Sequence, residues 1–244
     1  VNGDNVIIDI AQAITVDINF TQATVGTGLT VTASEAFQLI GTDAGNYSIG
    51  IPIATDTVDI TPRDLTITVN TGQEKVYGAS DPSYYLYTTT GFADGEDETY
   101  LDTGVAISRV GGENVGTYTI TPSNASDANY DINFVVADFT ITKALLTVMA
   151  DVGQTKVYGF SDPSGYLYTI TGYVFGEDES VLDTGVAIER APGEAAGNYT
   201  ITPLGALDAN YDFNFVTADF TITKAPLTIR PINGLYKVYG DIDP

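Results

Sequence analysis

Cysteine and histidine are both absent from the 244-residue sequence. The lack of cysteine excludes a disulfide framework, thiolate metal ligands and a cysteine nucleophile. The lack of histidine removes the commonest metal ligand and general base, so Ser-His-Asp and Cys-His catalytic arrangements are impossible. Carboxylate-based or lysine-based chemistry stays formally open, but we predict that the chain is not an enzyme.

Basic residues are scarce, with 9 Lys and Arg against 32 Asp and Glu and a net charge of −23. Phosphate recognition needs clustered basic side chains, so no nucleic-acid partner is expected, and an anionic membrane surface is equally unfavourable. No apolar run approaches the roughly 18 residues that predict a membrane span. The sequence has no signal-peptide pattern and does not begin with Met, and we interpret it as an internal piece of a longer polypeptide.

An internal repeat with a constant offset of 81 dominates what is present. Two consecutive stretches of equal length align without an insertion and are identical at 54 positions. The phrases KVYG, GEDE, LDTGVAI, DANYD and ADFTITK recur at this spacing, and KVYG occurs a third time near the end. The predicted segments are a partial unit at residues 1–62, complete repeats at residues 63–143 and 144–224, and the opening strand of a further unit at residues 225–244.

Each repeat alternates apolar residues with Thr, Ser or charged residues over short runs, as in LTITV, YLYTTT and DFTIT. Such alternation is typical of half-buried strands, and Gly, Pro, Asp and Asn mark the turns between them. We therefore predict an all-β fold of tandem Ig-like β-sandwiches. No Gly/Ser linker separates the repeats, so we expect them to stack head-to-tail into a semi-rigid rod.

The partial unit at residues 1–62 lacks KVYG and GEDE but is also alternating and rich in Thr. Its end, residues 58–67, aligns with residues 139–148 at the same offset of 81. The phrase GNYSI at residues 45–49 is similar to GNYTI at residues 197–201. We interpret the segment as a diverged relative that begins partway through its fold.

The two complete repeats, with KVYGxSDP, GEDE, GxYTITP, DANYD and FTITKAxLT, resemble the MBG domain (mostly bacterial Ig-like). The first segment, with GDNV, VGTGLTV, GTDAGNYSI and ITPRDLTI, resembles the C-terminal part of the YDG domain, whose usual Lys-x-Tyr-Asp-Gly opening is missing here. These families occur in tandem in very large secreted adhesins and filamentous surface proteins of bacteria. The resemblance implies an extracellular location at the bacterial cell surface, a structural role and no catalytic residues.

The two GEDE loops are candidate Ca²⁺ sites, because Ca²⁺ takes six to eight oxygen ligands. The alternative is a solvated acidic turn between strands, since the loops lack the spacing and central Gly of an EF-hand. No cofactor other than Ca²⁺ is expected. The candidate ligands are Glu96, Asp97, Glu98, Glu177, Asp178 and Glu179.

Four tyrosines are predicted structural anchors, comparable with the tyrosine corner of Ig sandwiches, in which the hydroxyl bonds backbone. They are Tyr118, Tyr130, Tyr199 and Tyr211. Asp127 and Asn129 of DANYD would then serve the turn, and the alternative is that Asp127, Asn129 and Asp131 hold a ligand. The KVYG lysine is expected at a solvated strand edge, and the alternative is a Lys-Asn isopeptide cross-link between Lys75 or Lys156 on an early strand and Asn133 or Asn214 on a late one. The stretch YYLY at residues 84–87 is a candidate surface for stacking on sugars.

Three functional hypotheses follow. The first is a structural spacer or stalk in a large secreted adhesin or extracellular filament, with adjacent repeats or neighbouring copies as partners. The second is an adhesin module that binds glycan, Ca²⁺ or a host protein. In the third, residues 225–244 of one chain complete the first segment of a neighbour, as an added strand pairs with an open sheet edge. The assembly residues are then Lys237, Val238 and Tyr239.

Overall fold

The computed structural model describes residues 7–9, 17–20, 22–34, 38–47 and 54–243. Within these ranges the regular structure is almost entirely β, which confirms the predicted fold class. Three short 3-10 helices are the exceptions, at Ala44–Asn46, Glu98–Tyr100 and Glu179–Val181. In the described ranges, no helix has the length and apolar character needed to cross a membrane.

The strands are short and separated by turns, as the alternating runs predict. The first segment contains β1 (Ile7–Asp9), β2 (Asp17–Phe20), β3 (Gly26–Ser34), β4 (Gln38–Ile40) and β5 (Ala54–Ile60). The first repeat contains β6 (Arg63–Val69), β7 (Gln73–Val76), β8 (Tyr87–Thr90), β9 (Ala106–Arg109), β10 (Gly116–Ser123), β11 (Tyr130–Val135) and β12 (Ala137–Thr142). The second repeat contains β13 (Ala144–Ala150), β14 (Thr155–Val157), β15 (Tyr168–Thr171), β16 (Ala187–Arg190), β17 (Gly197–Leu204), β18 (Tyr211–Val216) and β19 (Ala218–Thr223).

The second repeat consists of a three-stranded sheet in the order β15-β13-β18 and a four-stranded sheet in the order β14-β19-β17-β16. Its core takes buried side chains from both sheets, with Ala150 from the first and Ile201, Phe220 and Ile222 from the second. The strands of the first repeat follow the same two orders, β8-β6-β11 and β7-β12-β10-β9. Each repeat is therefore a small two-sheet sandwich in which alternate strand residues meet in the core.

A parallel pair joins the beginning of each repeat to its end. Six consecutive residues of β13 pair in parallel with β18, from Ala144 opposite Tyr211 to Met149 opposite Val216. The strands β6 and β11 pair in the same way, from Arg63 opposite Tyr130. Parallel neighbours need a long crossover connection, which the intervening strands supply here.

The first segment forms a two-stranded sheet, β1-β4, and a three-stranded sheet, β2-β3-β5. In the latter Gly26 lies opposite Ile60, and in the second repeat Gly197 lies opposite Ile222. The alignment of the repeats makes Ile60 the counterpart of Ile222. The register therefore makes Gly26 the counterpart of Gly197, whereas the similarity of GNYSI to GNYTI had suggested Gly45, which lies in a 3-10 helix.

The chain divides into two compact units. The first consists of Val1–Gln73, Pro82–Val110 and Thr119–Phe139. The second consists of Glu74–Asp81, Gly111–Tyr118 and Thr140–Pro244. Parts of the first repeat, including the KVYG turn, thus belong to the same unit as the whole second repeat.

Residues 225–243 contain no strand, although the sequence predicts an opening strand there. The physical reason is the parallel pairing, because β13 is held by β18, which begins only at Tyr211, near the end of the same repeat. A strand starting at Ala225 would need its partner beyond residue 244. Lys237, Val238 and Tyr239 are exposed, and the assembly role of these residues stays a prediction.

Candidate functional site

The DANYD phrase of the second repeat forms a tightly held loop, which we call the Asn loop (residues 208–211). The Asn210 N–H donates to the Asp208 Oδ1 at 2.6 Å, and the Asn210 carbonyl accepts the N–H of Ala144 at 3.0 Å. The Asn210 side chain instead binds a residue of the first repeat, because its Oδ1 accepts the N–H of Val115 at 2.9 Å. Because both backbone groups of Asn210 are bonded within its own repeat, the side chain is fixed in position to bind the residues that precede that repeat.

The same arrangement occurs at the Asn loop of the first repeat (residues 127–130). The Asn129 N–H donates to the Asp127 Oδ1 at 2.7 Å, and the Asn129 carbonyl accepts the N–H of Arg63 at 2.9 Å. Its Oδ1 accepts the N–H of Val25 at 3.0 Å. We call the bond from Val25 to Asn129, and that from Val115 to Asn210, the joint hydrogen bond.

The joint hydrogen bond has a donor at the same structural position both times. Val25 and Val115 each stand directly before the glycine that opens a strand, β3 or β10. The sequence prediction assigned Asp127 and Asn129 to the turn or to a ligand, and it missed the hydrogen bond to the preceding segment. The signal that could have found it is the Val-Gly dipeptide shared by VGTG and VGTY.

Beside Asn210, the Tyr211 side chain is almost fully buried. Its hydroxyl accepts the Val174 N–H at 3.0 Å and donates to a carboxylate oxygen of Glu177. Burial and the Glu177 carboxylate raise the pKa of Tyr211 to about 12. In the first repeat, the Tyr130 hydroxyl accepts the Ala93 N–H and donates to Glu96 in the same way.

A second tyrosine packs against the Asn loop of the second repeat within the same compact unit. The ring of Tyr77 meets the rings of Tyr211 and Phe175 edge-on, at centroid distances of 5.4 and 5.5 Å. The Tyr77 hydroxyl donates to Glu177 at 2.8 Å. The Lys143 Nζ donates to the carbonyls of Asp208 and Tyr211 at 2.8 and 3.2 Å. We call the group that faces the Asn loop and the neighbouring Val174, namely Tyr77, Gly78, Val115 and Lys143, the Tyr77 surface.

The GEDE carboxylates bond three different partners and do not converge. Besides Glu96, which accepts from Tyr130, the Asp97 carboxylate accepts the Thr99 N–H at 2.9 Å and caps a 3-10 helix. Glu98 accepts the Tyr87 hydroxyl at 2.6 Å. The second loop repeats the pattern, with Glu177 on Tyr211, Asp178 on Ser180 and Glu179 on Tyr168. Over the described ranges, no three carboxylates are grouped as metal ligands, and the Ca²⁺ sites stay a prediction.

Tyr118 and Tyr199 are half-buried rather than core residues. Their hydroxyls donate to backbone carbonyls four residues earlier, those of Asn114 at 2.7 Å and Ala195 at 2.8 Å. A Cβ on Gly193 would lie 2.2 Å from the Tyr199 ring, at a φ of +143°. The ring therefore packs directly over backbone, and the tyrosine fixes the turn before its own strand.

The KVYG lysines were expected at a solvated strand edge, which the structure corrects. The side chains of Lys75 and Lys156 are only 5% exposed. Each amino group contacts two carboxylates, Asp81 and Glu113 in the first repeat and Asp162 and Glu194 in the second. Charged groups are buried only when they are paired, which explains why the lysine can leave the solvent.

These lysine clusters oppose amide formation. Hydrogen bonds from Lys156 and Arg190 hold the pKa of the Asp162 carboxyl well below its usual range. Hydrogen bonds to Asp162 and Glu194 raise the pKa of Lys156. Condensation to an isopeptide needs a neutral amine, whereas the Lys156 amine is stabilised here as an ion by the neighbouring carboxylates. Asn133, the partner considered from the sequence, lies on β11 of the other sheet.

The tyrosine pKa values predict a loss of stability in alkali. The pKa is raised to about 12 for Tyr77 and Tyr211, mainly by burial, and for Tyr87 and Tyr168, mainly by hydrogen bonds to Glu98 and Glu179. The folded state therefore favours the neutral phenol. Its contribution to stability is complete below the unfolded pKa of about 10 and is lost as the pH rises towards 12.

Tyrosinate absorbance and circular dichroism, recorded together from pH 8 to 13, measure this effect. We expect the fold to be intact at pH 10, the ordinary pKa of a tyrosine. The four tyrosines with a raised pKa should ionise together with unfolding, one to two pH units higher. Ionisation of all 16 tyrosines in a single step near pH 10 would contradict the assignment.

The predicted sugar-stacking stretch lines a pocket of about 270 Å³ in the first compact unit. Its walls are Ser83, Tyr84, Tyr85, Tyr87, Val105 and Ile107. The Tyr84 side chain is 72% exposed. The second repeat has Gly165 at the position of Tyr84, so the two repeats differ in aromatic surface at this point.

Comparison with known proteins identifies the repeats. The family model of the MBG domain (YGX type) matches residues 65–140 and residues 146–221, which together are more than half of the chain. No curated protein matches the sequence. The matched ranges lie within the two predicted repeats and include both KVYG turns, both GEDE loops and both Asn loops. The chain therefore belongs to the MBG (YGX type) domain family and carries two such domains in tandem.

Proposed function

We propose that these domains are spacer modules in the stalk of a large extracellular bacterial surface protein, and that they carry out no catalysis. The family itself is a repeat module of surface or adhesin-like proteins. A spacer must hold successive modules in a defined arrangement without a reactive centre. The sequence supports this role, because it has no histidine or cysteine and connects its repeats without a flexible linker.

The observation that carries the proposal is the joint hydrogen bond, found twice with different upstream segments. It joins a main-chain N–H to an asparagine whose own backbone groups are already bonded. The connection is also short, because only Lys143 separates the end of β12 from the start of β13. A flexible tether would need several Gly or Ser residues at this position. A module that fixes the segment before it, in the same way each time, is suited to extending a chain.

Small-angle X-ray scattering of the 244-residue chain tests the proposal. A compact protein of this length has a radius of gyration of about 18 Å, and we expect a clearly larger value. Asn210→Ala removes the acceptor of one joint and should broaden the distance distribution. Asn214→Ala, an exposed residue of the same repeat, is the matched control and should change nothing. A radius of gyration at the compact value, with the chain fully folded, would remove the spacer role.

A carbohydrate contact at the Tyr84 pocket is the second candidate function, favoured by its exposed ring. Aromatic faces are the usual platforms for ligands with apolar patches, and the pocket adds a Ser hydroxyl. We expect binding on a glycan array that falls at least tenfold in Tyr84→Gly, which gives the first repeat the residue of the second. Leu86→Ala, at an exposed neighbour, is the control. An array without signal for the unsubstituted chain would end this candidate.

A further inference from the structure

The second repeat presents its own copy of the Tyr77 surface, and this copy is open. The aligned residues are Tyr158, Gly159, Ala196 and Lys224, which we call the Tyr158 surface. Tyr77 is 6% exposed, whereas Tyr158 is 53% exposed. A Cβ on Gly78 would meet Val174 at 2.5 Å, whereas a Cβ on Gly159 would meet nothing within 4 Å. The aligned residues are thus covered in the first repeat and exposed in the second.

A pocket of about 410 Å³ marks the uncovered copy. It is lined by Tyr158, Ala195, Ala196, Lys224, Ala225, Pro226 and Leu227. Phe160 stands at the position of Ala79 and is 70% exposed, so the apolar area around the Tyr158 surface is larger than around its covered counterpart. Exposed apolar surface beside a pocket is typical of a binding surface.

Ala196 is the third occurrence of the joint donor. It directly precedes Gly197, as Val115 precedes Gly116 and Val25 precedes Gly26. The register supports this equivalence, because Gly197 lies opposite Ile222 and Gly26 lies opposite Ile60. Both other donors bind the Oδ1 of an Asn loop. The backbone N–H of Ala196 lies in the same position relative to its strand, at the wall of the open pocket.

We propose that the Tyr158 surface binds the Asn loop of a further MBG-type repeat, joined to the chain after Lys224. The partner is defined by its chemistry, an Asp-x-Asn-Tyr loop followed by a strand. Its asparagine Oδ1 accepts the Ala196 N–H, its tyrosine ring packs edge-on against Tyr158, and its carbonyls accept from Lys224. These are the bonds that Val115, Tyr77 and Lys143 make to Asn210, Tyr211 and Asp208.

The occupant is a repeat in the same chain rather than a second molecule, because of the length of the connection. Lys143 both binds the loop and stands one residue before β13, so the loop and the strand reach the surface together. Residues 225–244 align with residues 144–163 and supply the same connection after Lys224. A repeat whose first strand begins directly after the binding lysine has a far higher effective concentration at this surface than a free molecule.

The test extends the intact chain. A copy of residues 164–224 is joined after Pro244, so that the residues from Ala225 onwards form a complete unit equal in length to residues 144–224. Hydrogen exchange is then measured by mass spectrometry on the peptide that contains Ala196, in the original chain and in the extended chain. We expect exchange at Ala196 to slow at least tenfold in the extended chain. Replacing the copied Asn210 with Ala should restore fast exchange, whereas replacing the copied Asn214 with Ala should not.

Three results would overturn the proposal. The first is equal exchange at Ala196 in both chains while the strands of the added repeat are protected. The second is an added repeat that stays unfolded, since docking on the Tyr158 surface should stabilise it. The third is protection of Ala196 in the original chain that rises with concentration, because the occupant would then be a second copy. The inference rests on the tandem role proposed above, but exchange at Ala196 reports the docking surface and scattering reports the spacer role, so each can fail separately.

Discussion

Replacing Gly172 with alanine is expected to destabilise the second repeat by about 3 kcal/mol, since it combines backbone strain with overpacking. Gly172 follows β15 and has a φ of +109°, in the region that favours glycine. A Cβ there would lie 2.4 Å from the carbonyl oxygen of Leu145. That oxygen belongs to β13, the central strand of its sheet, so it cannot move without disturbing the pairing on both sides.

Two other glycines separate the causes in urea denaturation followed by circular dichroism. Gly176 has a φ of +77° with nothing within 4 Å of an added Cβ, so Gly176→Ala measures the backbone strain alone, about 1 kcal/mol. Gly185 has neither a positive φ nor an atom within 4 Å of an added Cβ, so Gly185→Ala should leave the free energy of unfolding almost unchanged. If Gly172→Ala costs no more than Gly176→Ala, the close approach to β13 is not a constraint.

Replacing Tyr211 with alanine should cost the second repeat about 4 kcal/mol, as expected for removing a buried aromatic side chain. The ring packs against Tyr77 and Tyr173 edge-on, at 5.4 and 5.8 Å. Tyr211→Phe keeps the ring but leaves the Val174 N–H without its acceptor. We expect this change to cost about 1 to 2 kcal/mol, the penalty for an unsatisfied buried donor.

Thermal and urea unfolding of both variants test these values. Tyr239→Phe is the control for loss of a hydroxyl, because that side chain is fully exposed and should have no effect. Val115 should also exchange faster in Tyr211→Ala, since Asn210 next to it holds the joint hydrogen bond. If both Tyr211 variants lie within about 0.5 kcal/mol of the unsubstituted chain, the range of an ordinary surface substitution, the Asn loop is held by other groups.

The strands and the core were predictable because alternation reports burial directly. Leu65, Ile67 and Val69 alternate with threonines in β6 and are all buried. The aligned strand β13 buries Leu146 and Val148 in the same way. The pattern depends only on the two-residue period of a strand, so it can be recognised without knowing which strands are paired.

The lysine clusters and the joint hydrogen bond were not predictable in this way, because their partners are distant in the sequence. Lys75 is buried by pairing with Glu113, 38 positions later, as well as with the nearby Asp81. Asn129 accepts from Val25, 104 positions earlier. Both pairs of partners recur one repeat later in the chain. Many residues with other roles recur as well, so recurrence alone does not identify which residues are in contact.

The parallel pairing of β13 with β18 has a mechanical consequence. The chain enters the second repeat at the beginning of β13 and leaves after β19, which follows β18 directly. Tension along the polypeptide therefore pulls β13 from its beginning and the consecutive strands β18 and β19 from their end, along the parallel pairs β13–β18 and β14–β19. All six residue pairs resist sliding at once, instead of being peeled apart one after another. Each domain is thus loaded in shear, the direction in which a strand pair withstands the greatest force before it unfolds.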